Sequence, residues 1–217
     1  MASLVANHVA NIRVIVRHGR VQSESCFQPS LRAAAKERQQ EMQKAAIDRV
    51  KLIFALLDAD GTGYLEAEDF ELMATRVIAA APDSDNATKA AMLAAFRRYW
   101  TTLAAELDAN DDNRISFEEY TACVLSPERF DTAITDFAEA LAALGDPDGD
   151  GLIERRVFVA LMTAIGFERA NIDALFDAFG PSDADQIMVS VWAAGIKDYY
   201  HPEKTGIPGD HLVGGPI

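Results

Sequence analysis

The chain has 217 residues, and its 34 acidic and 20 basic side chains give a formal net charge of −14. An acidic body repels phosphate groups, so this charge excludes nucleic-acid binding as the main function and makes metal ions the natural counter-charge. No run of residues approaches the ~20 uninterrupted apolar positions of a membrane-spanning helix. Hydrophobic residues make up 49% of the chain, which indicates a soluble protein with a proper core.

Residues 1–41 differ in composition from the rest of the chain. They carry six basic against three acidic residues, and the first 23 contain no acidic residue. We predict a basic, disordered or loosely helical extension, with a targeting segment or a membrane-surface or partner-binding segment as alternatives. Cys26 and Cys123 lack the spacing of a disulfide framework or zinc site. They therefore favour free thiols in a reducing compartment, and we expect a cytoplasmic protein.

The first helix–loop–helix unit opens a predicted domain half over residues 42–125. Apolar residues at helical spacing precede and follow a twelve-residue segment with oxygen ligands at positions 1, 3, 5, 7, 9 and 12, the spacing of a calcium loop. Gly63 at position 6 suits the positive φ needed there. Position 12 is Asp instead of Glu, which raises the prospects of Mg²⁺ at this loop. The candidate ligands are Asp58, Asp60, Thr62, the Tyr64 carbonyl, Glu66 (often through water) and Asp69.

The second loop follows a long predicted helix and has the same ligand spacing. Asn113 stands at position 6, and Asn tolerates the left-handed conformation. Position 8 is apolar in both loops, as Leu65 and Ile115, so we expect the two loops to lie back to back with a small buried contact. The candidate ligands are Asp108, Asn110, Asp112, the Arg114 carbonyl, Ser116 and Glu119.

The second predicted domain half, residues 126–200, contains a third loop and a degenerate fourth one. The third loop has Val157 at position 12, which cannot coordinate, and Glu154 is the nearest substitute. We therefore expect a weak site whose candidate ligands are Asp146, Asp148, Asp150 and the Leu152 carbonyl. If Ile187 is position 8 of the fourth loop, its ligand positions have little to offer a metal, and we interpret this unit as a structural partner of the third. Those positions hold Gly180, Ser182, Ala184, Met188 and Val191.

The repeated loops resemble those of the EF-hand superfamily, particularly the four-hand sarcoplasmic calcium-binding proteins and calerythrin-like bacterial proteins. The resemblance covers residues 42–217 and includes the Gly/Pro-rich closing segment 201–217. It implies an all-α fold in which four EF-hand units form two pairs within one compact domain, with residues 201–217 packed on or trailing it. In that family the second hand is often degenerate, whereas here the second loop is intact and the fourth is not.

The resemblance implies a calcium buffer or transport protein, most simply a monomer that binds the ion and does little else. The alternative is a calcium sensor that exposes an apolar groove to a partner protein. Phenylalanines at core-like positions outnumber methionines, which favours the rigid interior of a buffer. A third possibility is a carrier of an apolar ligand, like the photoproteins. The four histidines lie in the two tails and no nucleophile–base arrangement can be identified, so we do not expect an enzyme.

Overall fold

The computed structural model describes residues 28–108, 112–124 and 127–213. In these ranges the chain forms eight α-helices, two short strands and a closing 3-10 helix. The elements in chain order are α1 (Gln28–Leu57), α2 (Ala67–Ala79), α3 (Asn86–Leu107), α4 (Phe117–Val124), α5 (Pro127–Leu144), β1 (Leu152–Glu154), α6 (Arg155–Ile165), α7 (Arg169–Ala178), β2 (Gln186–Met188), α8 (Val189–Tyr200) and the 3-10 helix Pro208–Leu212.

Two compact units divide the chain, Met1–Lys36 and Glu37–Ile217. Of the first unit, only the helical backbone from Gln28 lies among the described residues. Helix α1 therefore begins inside the segment that composition sets apart, and Ala, Lys, Glu, Gln and Arg, which favour helices, are abundant there. Cys26 lies outside the described residues.

Most of the second compact unit consists of four helix–loop–helix motifs in two pairs, which confirms the predicted all-α fold. The first pair joins α1–α2 to α3–α4, and its loops meet at an antiparallel bridge between Leu65 and Ile115. The second pair joins α5–α6 to α7–α8, and β1 pairs with β2 so that Ile153 lies opposite Ile187. The predicted contact between the position-8 residues of the first two loops is confirmed.

One hydrophobic core runs through both pairs, because α3 packs against α2 and α5, and α5 in turn packs against α8. Aromatic rings make several of these contacts. Phe96 of α3 meets Phe137 of α5 with ring centroids 5.1 Å apart, and Phe158 of α6 meets Trp192 of α8 at 4.8 Å. None of the helices in the described ranges combines the length and hydrophobicity needed to cross a bilayer.

A buried arginine ties the end of the chain to α1. The side chain of Arg49 is 1% exposed and donates hydrogen bonds to the backbone oxygens of Tyr199, His201 and Lys204 at 2.8, 3.1 and 3.0 Å. It also forms a 2.7 Å ion pair with Asp210 of the 3-10 helix. Buried cations are tolerated only when they are paired and hydrogen-bonded, and Arg49 meets this condition. The 3-10 helix thereby packs on the core through Leu212.

Candidate metal centre

All four loops share one backbone feature at position 6. The φ angles of Gly63, Asn113, Gly151 and Asp185 are 82°, 59°, 84° and 59°, so each loop turns through the left-handed region. Asn and Asp are the non-glycine residues that most readily adopt this conformation. Together with the pairing of Ile187 across the strands, the turn at Asp185 confirms the alignment of the fourth loop.

The aspartate at position 1 organises the first three loops in the same way. Asp58, Asp108 and Asp146 each accept hydrogen bonds from the backbone N–H groups at positions 5 and 6. The N···O distances are 2.8 to 3.1 Å. Because a carboxylate accepts up to four hydrogen bonds, each aspartate keeps lone pairs for a cation. The protein's own backbone thus gives these loops their curved shape.

In the first loop, three carboxylates converge. One oxygen each from Asp58, Asp60 and Asp69 lies within 4.8 Å of the other two. Asp69 is 2% exposed, and its oxygens accept hydrogen bonds from the backbone N–H groups of Ala59 and Glu66, both at 2.9 Å. Burial raises the pKa of Asp69, and the charges of Asp60 and Asp58 raise it further. A bound cation would offset both the burial of this charged carboxylate and its repulsion by Asp58 and Asp60.

Glu66, the predicted position-9 ligand, stands apart from this ring of aspartates. Its carboxylate forms a 2.7 Å ion pair with the guanidinium of Arg114, from the second loop. The same guanidinium lies 5.9 Å from the centroid of the Tyr64 ring. Thr62, at position 5, donates its hydroxyl proton to the Tyr64 carbonyl at 3.2 Å, so the loop holds these two predicted ligands side by side.

The second loop brings its position-9 and position-12 ligands together. The Glu119 carboxylate accepts hydrogen bonds from the Ser116 backbone N–H at 2.9 Å and from the Ser116 hydroxyl at 2.8 Å. Asp112 accepts a 2.9 Å hydrogen bond from the backbone N–H of Arg114, whose carbonyl is the predicted position-7 ligand. Asn110, the predicted position-3 ligand, lies outside the described residues.

The third loop gathers only its three aspartates. One oxygen each from Asp146, Asp148 and Asp150 lies within 4.8 Å of the other two, and Asp150 accepts a 2.8 Å hydrogen bond from the backbone N–H of Leu152. Glu154, considered above as a replacement for the missing position-12 ligand, instead forms a 2.5 Å ion pair with Arg156. The loop therefore has a carboxylate ring on one side and the half-buried, apolar Val157 at position 12.

The fourth loop is closed by the protein itself. The Ser182 N–H donates a 2.9 Å hydrogen bond to the carbonyl of Gln186, the position-7 oxygen that would otherwise coordinate a metal. The Asp185 N–H donates to the Ser182 carbonyl. Arg155 supplies the positive charge. Its guanidinium pairs with Asp185 at 2.8 Å and with Asp177 at 2.6 Å, and it lowers the pKa of the Asp185 carboxyl.

Comparison with known proteins shows which family the first two loops resemble. Residues 47–125 match the family described as the EF-hand domain pair. This match confirms the predicted resemblance to EF-hand proteins and identifies the first two loops as an EF-hand domain pair. It is similar to calerythrin from Saccharopolyspora erythraea, with 24% identity over 162 residues that cover 71% of this chain and 92% of calerythrin. Calcium binding is the function that this likeness to EF-hand proteins supports.

Two solved structures share the fold of these four EF-hands. A Streptomyces coelicolor calcium-binding protein, described as acting in calcium-mediated regulation, aligns with a TM-score of 0.60 at 21% identity, over 72% of this chain and 98% of its own. The sarcoplasmic calcium-binding protein of amphioxus aligns with a TM-score of 0.55 at 20% identity, over 80% of this chain and 98% of its own.

Three arginines that pair with carboxylates in the loops or in the closing 3-10 helix were not predicted from the sequence. Arg114, Arg155 and Arg49 look like ordinary solvated charges because none of them falls on an apolar stripe. One signal was available for the first of them. If Leu65 lies opposite Ile115 in an antiparallel bridge, residue 66 must lie opposite residue 114, and opposite charges at such a pair attract.

Proposed function

We propose that this protein is a calcium buffer or transport protein, with two strong sites in the first EF-hand pair, a weak site in the third loop and none in the fourth. The main support for a buffer is the continuous core, in which the apolar face of each pair is covered by the other. A sensor needs an apolar face that can open to a partner helix. Within residues 36–108, 112–122 and 130–213, exposed large hydrophobic side chains are confined to Tyr64, Leu72 and Met188.

The two strong sites follow from their complete sets of oxygen ligands. The convergence of Asp58, Asp60 and Asp69 supports the first site, and Thr62, the Tyr64 carbonyl and water would complete it. Because the position-12 aspartate favours six-fold coordination, Mg²⁺ competes here. For the second site we propose Asp108, Asn110, Asp112, the Arg114 carbonyl, Ser116 and the bidentate Glu119.

The remaining two loops differ in what they lack. In the third, Asp146, Asp148, Asp150 and the Leu152 carbonyl offer fewer oxygens than the six to eight that Ca²⁺ takes, which supports millimolar rather than micromolar binding. In the fourth, the hydrogen bond to the Gln186 carbonyl supports a purely structural role. We place the buffer in the cytoplasm as a monomer without catalytic activity.

The regulatory role described for the Streptomyces protein supports the competing sensor function. A carrier function has less support. The apolar cavity between Phe96, Phe137, Trp192 and Tyr200 has a volume of about 70 Å³, whereas an engineered cavity that binds benzene has roughly 150 Å³.

Dye binding and partner capture distinguish the buffer from the sensor. At free Ca²⁺ of 100 times Kd, one site adds ~2.7 kcal/mol of stability, so we expect the melting temperature to rise by several degrees. Fluorescence of a hydrophobic dye should stay flat or fall on binding. A strong calcium-induced increase in dye fluorescence, with calcium-dependent capture of an amphipathic helical peptide, would contradict the buffer and favour the sensor. The Glu119→Gln variant should show a smaller thermal shift and serves as the control.

A further inference from the structure

The ion pair between the first two loops has a geometric cause. Leu65 and Ile115 exchange backbone hydrogen bonds of 2.9 and 3.0 Å, which fixes an antiparallel register between the loops. In that register the next residue of one loop faces the preceding residue of the other, so Glu66 lies opposite Arg114. Directly opposite residues in an antiparallel pair are close enough for their side chains to interact. The 2.7 Å ion pair is therefore built into the pairing of the loops.

This pair competes with the metal site for one ligand. Glu66 occupies position 9 of the first loop, where a side chain contributes an oxygen directly or holds a coordinating water. Its partner is a guanidinium, which is always charged and holds carboxylates in fixed geometry. The three aspartates of the loop lie together without Glu66.

The second EF-hand pair provides the contrast. There Glu154, also at position 9, lies opposite Gln186 in the register of β1 and β2. A neutral glutamine thus stands where the first pair has Arg114. The charge opposite position 9 is consequently a property of the first pair and not of the paired-loop geometry.

We infer that Arg114 is a specificity-determining residue of the first calcium loop, which holds Glu66 away from the cation and so lowers the affinity for Ca²⁺ more than that for Mg²⁺. The inference rests on the proposed function, because it requires cation binding at this loop. Ca²⁺ takes six to eight oxygens and gains from each added ligand, whereas Mg²⁺ keeps several waters and binds through one or two carboxylates. Withholding Glu66 therefore penalises Ca²⁺ selectively.

A simple charge effect predicts a different result. Arg114 carries one positive charge, which repels Ca²⁺ and Mg²⁺ equally at a given distance. Removal of that charge alone would tighten both ions by the same factor. Release of Glu66 instead changes the ratio of the two affinities, and its effect requires the Glu66 carboxylate.

The experiment is a double-mutant cycle of Arg114→Gln and Glu66→Gln in the full chain, titrated with calcium chloride and with magnesium chloride. The Gly63 amide, which donates to Asp58 at 2.9 Å, reports on the first loop by NMR, and the Asn113 amide reports on the second. Arg156→Gln, which removes the arginine on Glu154 in the third loop, is the matched control for the first loop.

We expect Arg114→Gln to tighten Ca²⁺ at the first loop by roughly fivefold to tenfold and to raise the Ca²⁺/Mg²⁺ affinity ratio by about fivefold. Glu66→Gln should change Ca²⁺ affinity by less than about twofold in the wild type but lower it by about fivefold beside Arg114→Gln. Equal effects of Glu66→Gln in both backgrounds, or an unchanged ratio, would overturn the inference alone. A wild-type Gly63 amide that responds to neither ion would overturn the proposed function as well.

Discussion

The two EF-hand pairs stabilise their paired loops by different means. In the first pair both loops present oxygens, and their backbones pair at the bridge between Leu65 and Ile115. In the second pair three residues of each loop form a ladder, and Arg155 supplies the positive charge of the fourth loop. A loop that has lost its metal ligands can thus keep the backbone turn and the pairing, provided that hydrogen bonds and a protein cation replace the ion.

The contrast predicts where an ion matters most. Carboxylates at a separation of ~4 Å repel each other by roughly 4 kcal/mol at an effective dielectric of 20, and this cost falls on the ring of Asp58, Asp60 and Asp69. The fourth loop avoids it because Gly180, Ser182 and Ala184 replace the carboxylates, and because Arg155 pairs with Asp185 and Asp177. The fourth loop should therefore hold its shape in chelator, while the first depends on a cation.

The largest expected effect concerns the second loop, where Glu119→Gln changes the proposed bidentate ligand of the first pair. We expect Kd at this loop to rise roughly a hundredfold, which corresponds to ~2.7 kcal/mol. The measurement is a calcium titration followed at the Asn113 amide. Glu118→Gln changes the adjacent, exposed glutamate and should have little effect. Equal shifts for both variants would remove Glu119 from the site.

A tenfold effect is expected where the second pair is made more like the first. Val157→Glu restores the position-12 carboxylate of the third loop, beside the ring of Asp146, Asp148 and Asp150. We expect it to tighten Ca²⁺ binding there by roughly tenfold or more, read from the Gly151 amide. Val157→Gln has nearly the same shape without the charge and is the control. If wild-type protein already binds Ca²⁺ at this loop with submicromolar affinity, other oxygens replace the missing ligand.

The smallest effect concerns stability without metal. Arg155→Met removes the cation of the fourth loop and its 4.3 Å contact with the Phe176 ring, and it should lower the free energy of unfolding by ~1 kcal/mol in chelator. Urea denaturation measures this change. The control, Arg156→Met, removes an arginine that is 73% exposed, and the midpoint should not move measurably. If the two variants unfold alike, Arg155 does not stabilise the fourth loop.

Local signals made much of this structure predictable. Ligand spacing and the position-6 turn lie within twelve residues, so the sequence alone locates all four loops, including the degenerate one through Ile187. The paired position-8 residues likewise follow from their apolar character. These features depend on near neighbours in the chain, which is why reasoning from periodicity and motif spacing finds them.

Contacts between distant residues could not be predicted in this way. Arg49 is 161 residues from Asp210, and Arg155 is 30 residues from Asp185. Arginine has no periodic signature, and most arginines are solvated, so nothing in the local sequence indicates that Arg49 is buried or that Arg155 pairs with the carboxylates of Asp177 and Asp185. The ion pair between Glu66 and Arg114 is an exception, because the predicted contact between Leu65 and Ile115 places residues 66 and 114 opposite each other.

A site-resolved calcium titration of the wild-type protein tests the central claim most directly. The position-6 amides of Gly63, Asn113, Gly151 and Asp185 report on the four loops in one NMR experiment. Gly63 and Asn113 should shift at micromolar free Ca²⁺, Gly151 only at millimolar levels, and Asp185 should not respond as a binding loop at any concentration. A response of Gly151 or Asp185 before that of Gly63 and Asn113 would contradict the assignment of the strong sites to the first pair.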